Sequence, residues 1–211
     1  MIKRKLFKVD GKGNITEHIV EFDNVPGNSE NEKLKSINSF HNKIKEKFNE
    51  KILEVSSKSN DLFGKELSAF NLLIEYNNKN IYFESFFQGS KVFTNGGPFI
   101  DILYSKPWEA KADKRIRNSG TIVSFRVNDI DYPTEPKTLF YNYFYLKAFI
   151  NSNKSIDKIN EYNIFTDIEF NHEVSINCQA HAVAILVSLY RKNKLDESLK
   201  TIDEYIKNVY N

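Results

Sequence analysis

Apolar and charged residues alternate through Ile2–Val9 and Ile15–Phe22, on either side of "DGKGN". Arms rich in β-branched and aromatic side chains around a glycine-bearing break predict an N-terminal β-hairpin, the glycines supplying the positive φ of its turn. After the turn-rich "NVPGNSEN", Ser29 and Glu32 have capping-box spacing, and Leu34, Ile37, Phe40, Ile44 and Phe48 recur at helical intervals, predicting a long amphipathic helix. "ILEV" and "LLIEY" read as short strands separated by the polar stretch "SSKSNDLFGKELSAFN", which holds one brief helical turn. "NNKN" then turns the chain into "IYFESFFQGSKVF", which reads as a helix stopped by Asn95-Gly96-Gly97-Pro98. Beyond a mixed segment with "PWEAKADKR", the pattern predicts a strand at Thr121–Val127 and a helix over Pro136–Ile150 with proline in its first turn. Two closing helices are expected near Ser175–Lys192 and Leu195–Tyr210. The expected fold is α+β and mostly helical, with the N-terminal hairpin and a small sheet packed by helices.

Composition narrows the function classes. A chain of 211 residues with 40% hydrophobic residues suits one domain, residues 1–211, in which 1–50 hold the hairpin and first helix and 51–211 the remainder. No apolar run approaches the ~18 residues of a membrane span, and "MIKRKLFKVD" lacks the apolar stretch of a secretory signal. The single cysteine excludes an internal disulfide framework, so a cytoplasmic protein with no membrane partner is expected. A net charge of +2 is too mild to imply nucleic-acid binding by global electrostatics, so any such contact is local.

The stretch Phe83–Phe99 places Glu84, Gln88 and Lys91 in a run that otherwise reads as core. On a helical wheel begun at Phe83, Lys91, Glu84 and Gln88 fall at about 80°, 100° and 140°, bordering an aromatic face that spreads from about 280° through 0° to about 40°. Such a stripe is either ordinary helix surface or the wall of a pocket. Beside apolar rings, a glutamate can be raised toward a general acid and a lysine lowered toward a nucleophile.

Other candidates keep two readings each. Cys178 and His181 stand three apart, the spacing of a metal or Cys/His site, but His18, His41 and His172 complete no ligand pattern, and a packed thiol is the simpler reading. Between Lys106 and Arg117 lie five basic residues, Lys106, Lys111, Lys114, Arg115 and Arg117, against two acids, Glu109 and Asp113. They form a solvated face or a diphosphate clamp. Trp108 within this segment either stacks on a base or anchors the segment to the core. Asp167 and Glu169 alternate in "FTDIEF" and would share one face of a strand or extended loop, offering paired carboxylates or simply edge acids.

Taken together and in order, "LSAFNL", "FESFFQGSKVF" followed by "NGGP", "EAK", "EPKTLFYNYFYLKA", "FTDIEFN" and "SINCQA" resemble the NADAR family, in particular its branch found beside DarT-type DNA ADP-ribosyltransferase toxins. These blocks run from about residue 52 to 190 and imply a NADAR-like catalytic core there. Glu84, Gln88 and Lys91 align with the family's V-E-H-A-F-Q-x-x-K signature, Ser68 and Phe70 with its L-S-N-F block, and Glu109, Ala110 and Lys111 with its E-A-K. Ser85 replaces the signature His and Ala69 the Asn, and the wider family's tryptophan-glycine ending is missing. The resemblance implies an ADP-ribosylglycohydrolase that removes ADP-ribose from guanine bases of DNA, as antitoxin to a cognate DarT-type toxin, without metal or other cofactor. It implies Glu84 as proton-transfer group, Lys91 as Schiff-base amine or electrostatic holder, and Gln88 as the orienter of ribose hydroxyls. Lys111, Arg115, Arg117 and the backbone of Asn95, Gly96 and Gly97 are the implied diphosphate contacts, with Asp101, Trp108, Asp167 and Asn177 as further pocket residues. Alternatives are an N-glycosidase acting on a riboflavin-type intermediate, and an antitoxin that binds ADP-ribose or the toxin without turnover.

Overall fold

The computed structural model describes residues 1–27 and 29–211; Asn28, in the stretch expected to turn, lies outside the described residues. Along the chain run β1 (Ile2–Val9), β2 (Ile15–Phe22), α1 (Glu30–Lys45), β3 (Ile52–Glu54), α2 (Leu62–Glu66), β4 (Leu73–Tyr76), β5 (Lys79–Tyr82), α3 (Phe83–Gly89) and β6 (Lys91–Phe93). A 3-10 turn (Ile102–Tyr104), α4 (Pro107–Ala112), α5 (Lys114–Asn118), β7 (Ile122–Val127), β8 (Ile130–Tyr132) and α6 (Leu139–Asn151) follow. The chain ends with α7 (Ile156–Asn160), β9 (Ile164–Thr166), α8 (Gln179–Arg191), α9 (Leu195–Ser198) and α10 (Ile202–Val209). They make an α+β fold of two compact units, Met1–Ser68 with Ser155–Asn211, and Ala69–Lys154.

The first unit is built on a sheet of order β2-β1-β9-β3, in which β1 pairs antiparallel with both neighbours and β3 runs parallel to β9. The hairpin turn is closed by Asp10, whose Oδ1 accepts the N–H groups of Lys12 and Asn14, each at 2.8 Å. Gly13 sits at φ +82 with the Ser188 carbonyl where a Cβ would project, so no larger residue fits. Successive residues of a strand face opposite sides, and β1 uses both. Leu6 joins Phe22, Phe40, Ile37 and Ile44 in the core under α1, whereas Phe7 stacks on His181 of α8 at 4.8 Å. The capping box of α1 is formed: Ser29 N–H donates to Glu32, and Glu32 N–H donates to Ser29 Oγ.

The second unit holds a β4–β5 hairpin and a β6-β7-β8 meander. Asn77 and Asn78 in one turn, and Asn128 and Asp129 in the other, take positive φ, which Asn and Asp tolerate and tight hairpin turns demand. Helix α6 is buried almost all round. Its Phe140 lies flat on Phe125 at 4.2 Å and contacts Phe86, while Tyr141 and Tyr145 meet Phe87 and Phe83 edge-on at 5.0 and 5.4 Å. At roughly 1.5–3 kcal/mol for each fully buried ring, the phenylalanines of α3 fix a seven-residue helix that would not persist alone.

Several elements depart from the pattern-based expectation. The helix begun at Phe83 ends at Gly89, and Lys91 opens a strand. A Cβ on Gly89 would lie 2.7 Å from the Leu103 side chain and 2.9 Å from its backbone N, so the 3-10 turn presses on the helix there. Pairing of Lys91 with Phe125 then overrides the helical periodicity. Pro136 precedes α6 rather than lying in its first turn, its carbonyl accepting from Leu139 N–H at 2.8 Å. Helix α8 begins at Gln179 because Asn171 folds the preceding residues into turns, accepting from Glu173, Val174 and Ser175. The last expected helix is two, since Thr201 caps a new one through Glu204 N–H.

The first unit also encloses two carboxyls. Glu54 accepts Thr166 Oγ1–H at 2.6 Å and Ile168 N–H at 2.8 Å, with His41 Nε2 at 3.8 Å. Burial pushes its pKa up, but these partners outweigh burial and hold it below the usual value. Asp167 has the opposite balance: burial, and then the Glu54 charge, raise it well above the usual carboxylate range. A carboxyl raised in the folded state stabilises fully below its unfolded pKa of about 3.9 and loses that contribution as pH climbs through the folded value. Asp167→Asn should therefore be more urea-resistant than the parent, by a margin that widens as pH rises above about 4. Parallel stability-versus-pH curves would show that Asp167 carries no such load.

Candidate active site

Glu84 and Gln88 lie one turn apart on α3 and so share an edge of the helix. The structure buries both, and Lys91 with them, at 6%, 7% and 8% exposure. Gln88 Nε2 donates to Glu84 Oε1 at 2.9 Å, and Gln88 Oε1 accepts from Lys91 Nζ at 2.6 Å. An ammonium only donates and a carboxylate only accepts, so this amide orientation alone satisfies both ends. Lys91 thus reaches the stripe from the start of β6 rather than from the helix on which its angular position was reckoned.

The lysine is poorly solvated. Its ammonium stands 4.4 Å above the Phe87 ring. Burial lowers its pKa to about 8, against the pull of the Glu84 charge and with a push from Lys111. A buried amine tied by an amide to a buried carboxylate can serve as nucleophile and proton-transfer pair. Phe87, read from sequence only as core, is the aromatic floor of this site.

Neighbouring blocks fix the geometry. Glu84 N–H donates to the Ala69 carbonyl at 2.9 Å, anchoring the L-S-A-F segment to the first turn of α3. Lys111 Nζ lies 5.4 Å over the half-buried Phe70 ring. Ser85, standing where the signature has His, donates to the Ser105 carbonyl at 2.8 Å. Phe70, Glu84, Gln88, Lys91 and Lys111 therefore belong together.

Other expected contacts look different. Arg115 binds Asp101 through both terminal nitrogens, at 3.1 and 2.6 Å, and also Asp113. Those hydrogen bonds hold both carboxyls below the usual range, so Arg115 is a clamp already closed on acids. Asn95 N–H donates to Ser119 O and Gly96 N–H to Phe93 O, so these two donors are spent inside the protein. Trp108 is exposed and does not anchor its segment to the core. Arg117 is an exposed member of α5.

Ser68, Asp167 and Asn177 belong to the other unit. Ser68 Oγ and Asn177 Oδ1 are buried with no hydrogen-bond partner among the described residues, an unusual state that in folded proteins calls for a partner such as water or ligand. Asp167 and Glu169 do not share a face. Strand β9 ends at Thr166, and Asp167 turns inward to accept Glu169 N–H, leaving Glu169 to pair with Lys33 at the surface. Cys178 lies 4.0 Å from Asp167, and burial raises its thiol well above the usual value, which keeps it unreactive. The buried Glu54 of that unit was signalled in the sequence only as the lone charge in "ILEV".

The second unit thus buries a hydrogen-bonded Lys91–Gln88–Glu84 relay beside the Phe87 ring. The chain belongs to the NADAR-DarT1 family: the family model described as DarT1-associated NADAR antitoxin matches residues 2–211. Its antitoxin class points to a DarT toxin as counterpart. No curated protein matches the chain. Among the described residues, no helix is long and apolar enough to cross a membrane.

The relay makes a direct prediction. Lys91 should titrate near 8, read from its ε-carbon shift in lysine-labelled protein, and Glu84→Gln should move that value lower because the opposing charge is gone. A value near 10.4, the model-peptide value, in both proteins would show a solvated lysine instead.

Proposed function

We propose that this chain is a hydrolase that removes ADP-ribose from guanine bases of DNA in the cytoplasm, reversing the modification made by a DarT-type ADP-ribosyltransferase. The observation that carries the reading is the Lys91–Gln88–Glu84 relay, with its amine lowered to about 8, in a member of a DarT1-associated antitoxin family.

The bond to be cleaved joins C1″ of the distal ribose to a guanine nitrogen, and its cleavage passes through an oxocarbenium-like state. In this reading the Lys91 amine bonds to C1″ as the C1″–N bond breaks. The electron pair goes to the guanine nitrogen, and the Glu84 carboxylate takes the proton that the attacking amine sheds and delivers it there. Ring opening, with a proton taken up by the ring oxygen, leaves an iminium between C1″ and Nζ; water hydrolyses it and gives that proton back, releasing ADP-ribose and returning the amine and the carboxylate to their starting forms. Gln88 holds the two groups in register, and its second Nε2–H is the donor for a ribose hydroxyl. Phe70 joins this assignment as a substrate contact, Asp101 only once Arg115 releases it, and Lys111 and Arg117, with the Gly97 backbone, are assigned to the diphosphate. Arg115 joins them only by leaving Asp101 and Asp113.

Folded Glu84→Gln and Lys91→Ala proteins should release ADP-ribose from guanine-modified single-stranded DNA about a hundredfold or more slower than the parent. The parent rate should rise with pH through about 8 as the amine loses its proton. Release at the parental rate by both variants would sink the mechanism, and a rate falling above 8 would make Lys91 a cationic holder rather than a nucleophile.

A further inference from the structure

Of the exposed aromatic rings in the unit that carries the relay, Tyr82, Tyr104 and Trp108, the last two stand furthest into solvent. Tyr104 is 50% exposed and Trp108 57% exposed. Tyr104 ends the 3-10 turn and Trp108 lies in α4, and both elements pack on α3, the helix of Glu84 and Gln88. Each ring carries a lysine: Lys79 Nζ is 5.5 Å from the Tyr104 centroid and Lys106 Nζ 5.2 Å from the Trp108 centroid. Lys79 comes from β5, which itself packs on the 3-10 turn.

Rings this exposed keep apolar area that folding has not removed from water, and exposed apolar area is where an interaction surface is sought. The chemistry around them selects the partner. A ring face accepts any nucleobase by stacking, and an ammonium beside it meets the phosphate of the same strand. Of the nearby acids, Asp101 and Asp113 are paired with Arg115, while Glu109 accepts the Lys106 N–H and keeps its charge. In a duplex the base faces are covered by their neighbours, so the strand must be unpaired.

We propose that this face binds single-stranded DNA, with bases stacked on Tyr104 and Trp108 and phosphates against Lys79 and Lys106. The inference deepens the glycohydrolase reading, on which it rests for the strand's being substrate, by assigning the nucleotides that flank the modified guanine.

Trp108 is the only tryptophan in the chain, so its emission reports stacking directly. Titrating the full chain with an unmodified oligothymidylate should quench that emission saturably, with affinity that falls as salt rises. Tyr104→Ala and Lys79→Ala should each raise the Kd by about tenfold in the same titration. No quenching, equal quenching by a duplex of the same length, or quenching by a protein partner but not by DNA would overturn the proposal. Because the probe carries no ADP-ribose, the two readings fail separately. Quenching without ADP-ribose release keeps the DNA face and removes the hydrolase, while release without quenching does the reverse.

Discussion

The amide of Gln88 is the constraint on which the second unit's chemistry depends. Placed between Lys91 and Glu84, it lets an ammonium and a carboxylate sit buried without direct contact, each with a partner whose polarity suits it. Direct pairing would hold the lysine fully charged. The interposed amide leaves burial as the dominant influence, and the amine falls to about 8. The packing around α3 serves this arrangement. A seven-residue helix keeps Glu84 and Gln88 in place because its phenylalanines are locked against Phe125, Phe140, Tyr141 and Tyr145.

The hairpin, the capped first helix and the Glu84–Gln88 edge were legible in the sequence because each rests on neighbours in the chain: turn glycines, the Ser29–Glu32 box, and an i, i+4 spacing. The break after Gly89 was not, because its causes lie at Leu103 and Phe125, far along the chain. The same limit explains Asp167. Alternation along "FTDIEF" put it beside Glu169, but the end of β9 and the turn onto Glu169 N–H send it inward. Glu54 looked like an ordinary strand residue until Thr166, Ile168 and His41 surrounded it.

Family membership and geometry support each other at different levels. The match across residues 2–211 fixes the class, a DarT1-associated antitoxin. The relay adds what the class alone does not, a buried amine with a lowered pKa linked through an amide to a buried carboxylate. The family's signature His is Ser85 here and bonds to the backbone, so the reaction assigned to this chain draws on Lys91 and Glu84 without an imidazole between them.

The most direct test is to offer the purified protein guanine-ADP-ribosylated and thymine-ADP-ribosylated single-stranded DNA side by side and to measure released ADP-ribose. The account predicts release from the guanine substrate and none from the thymine substrate. No release from either, by protein shown to be folded by circular dichroism, would contradict it and leave an antitoxin that acts by binding.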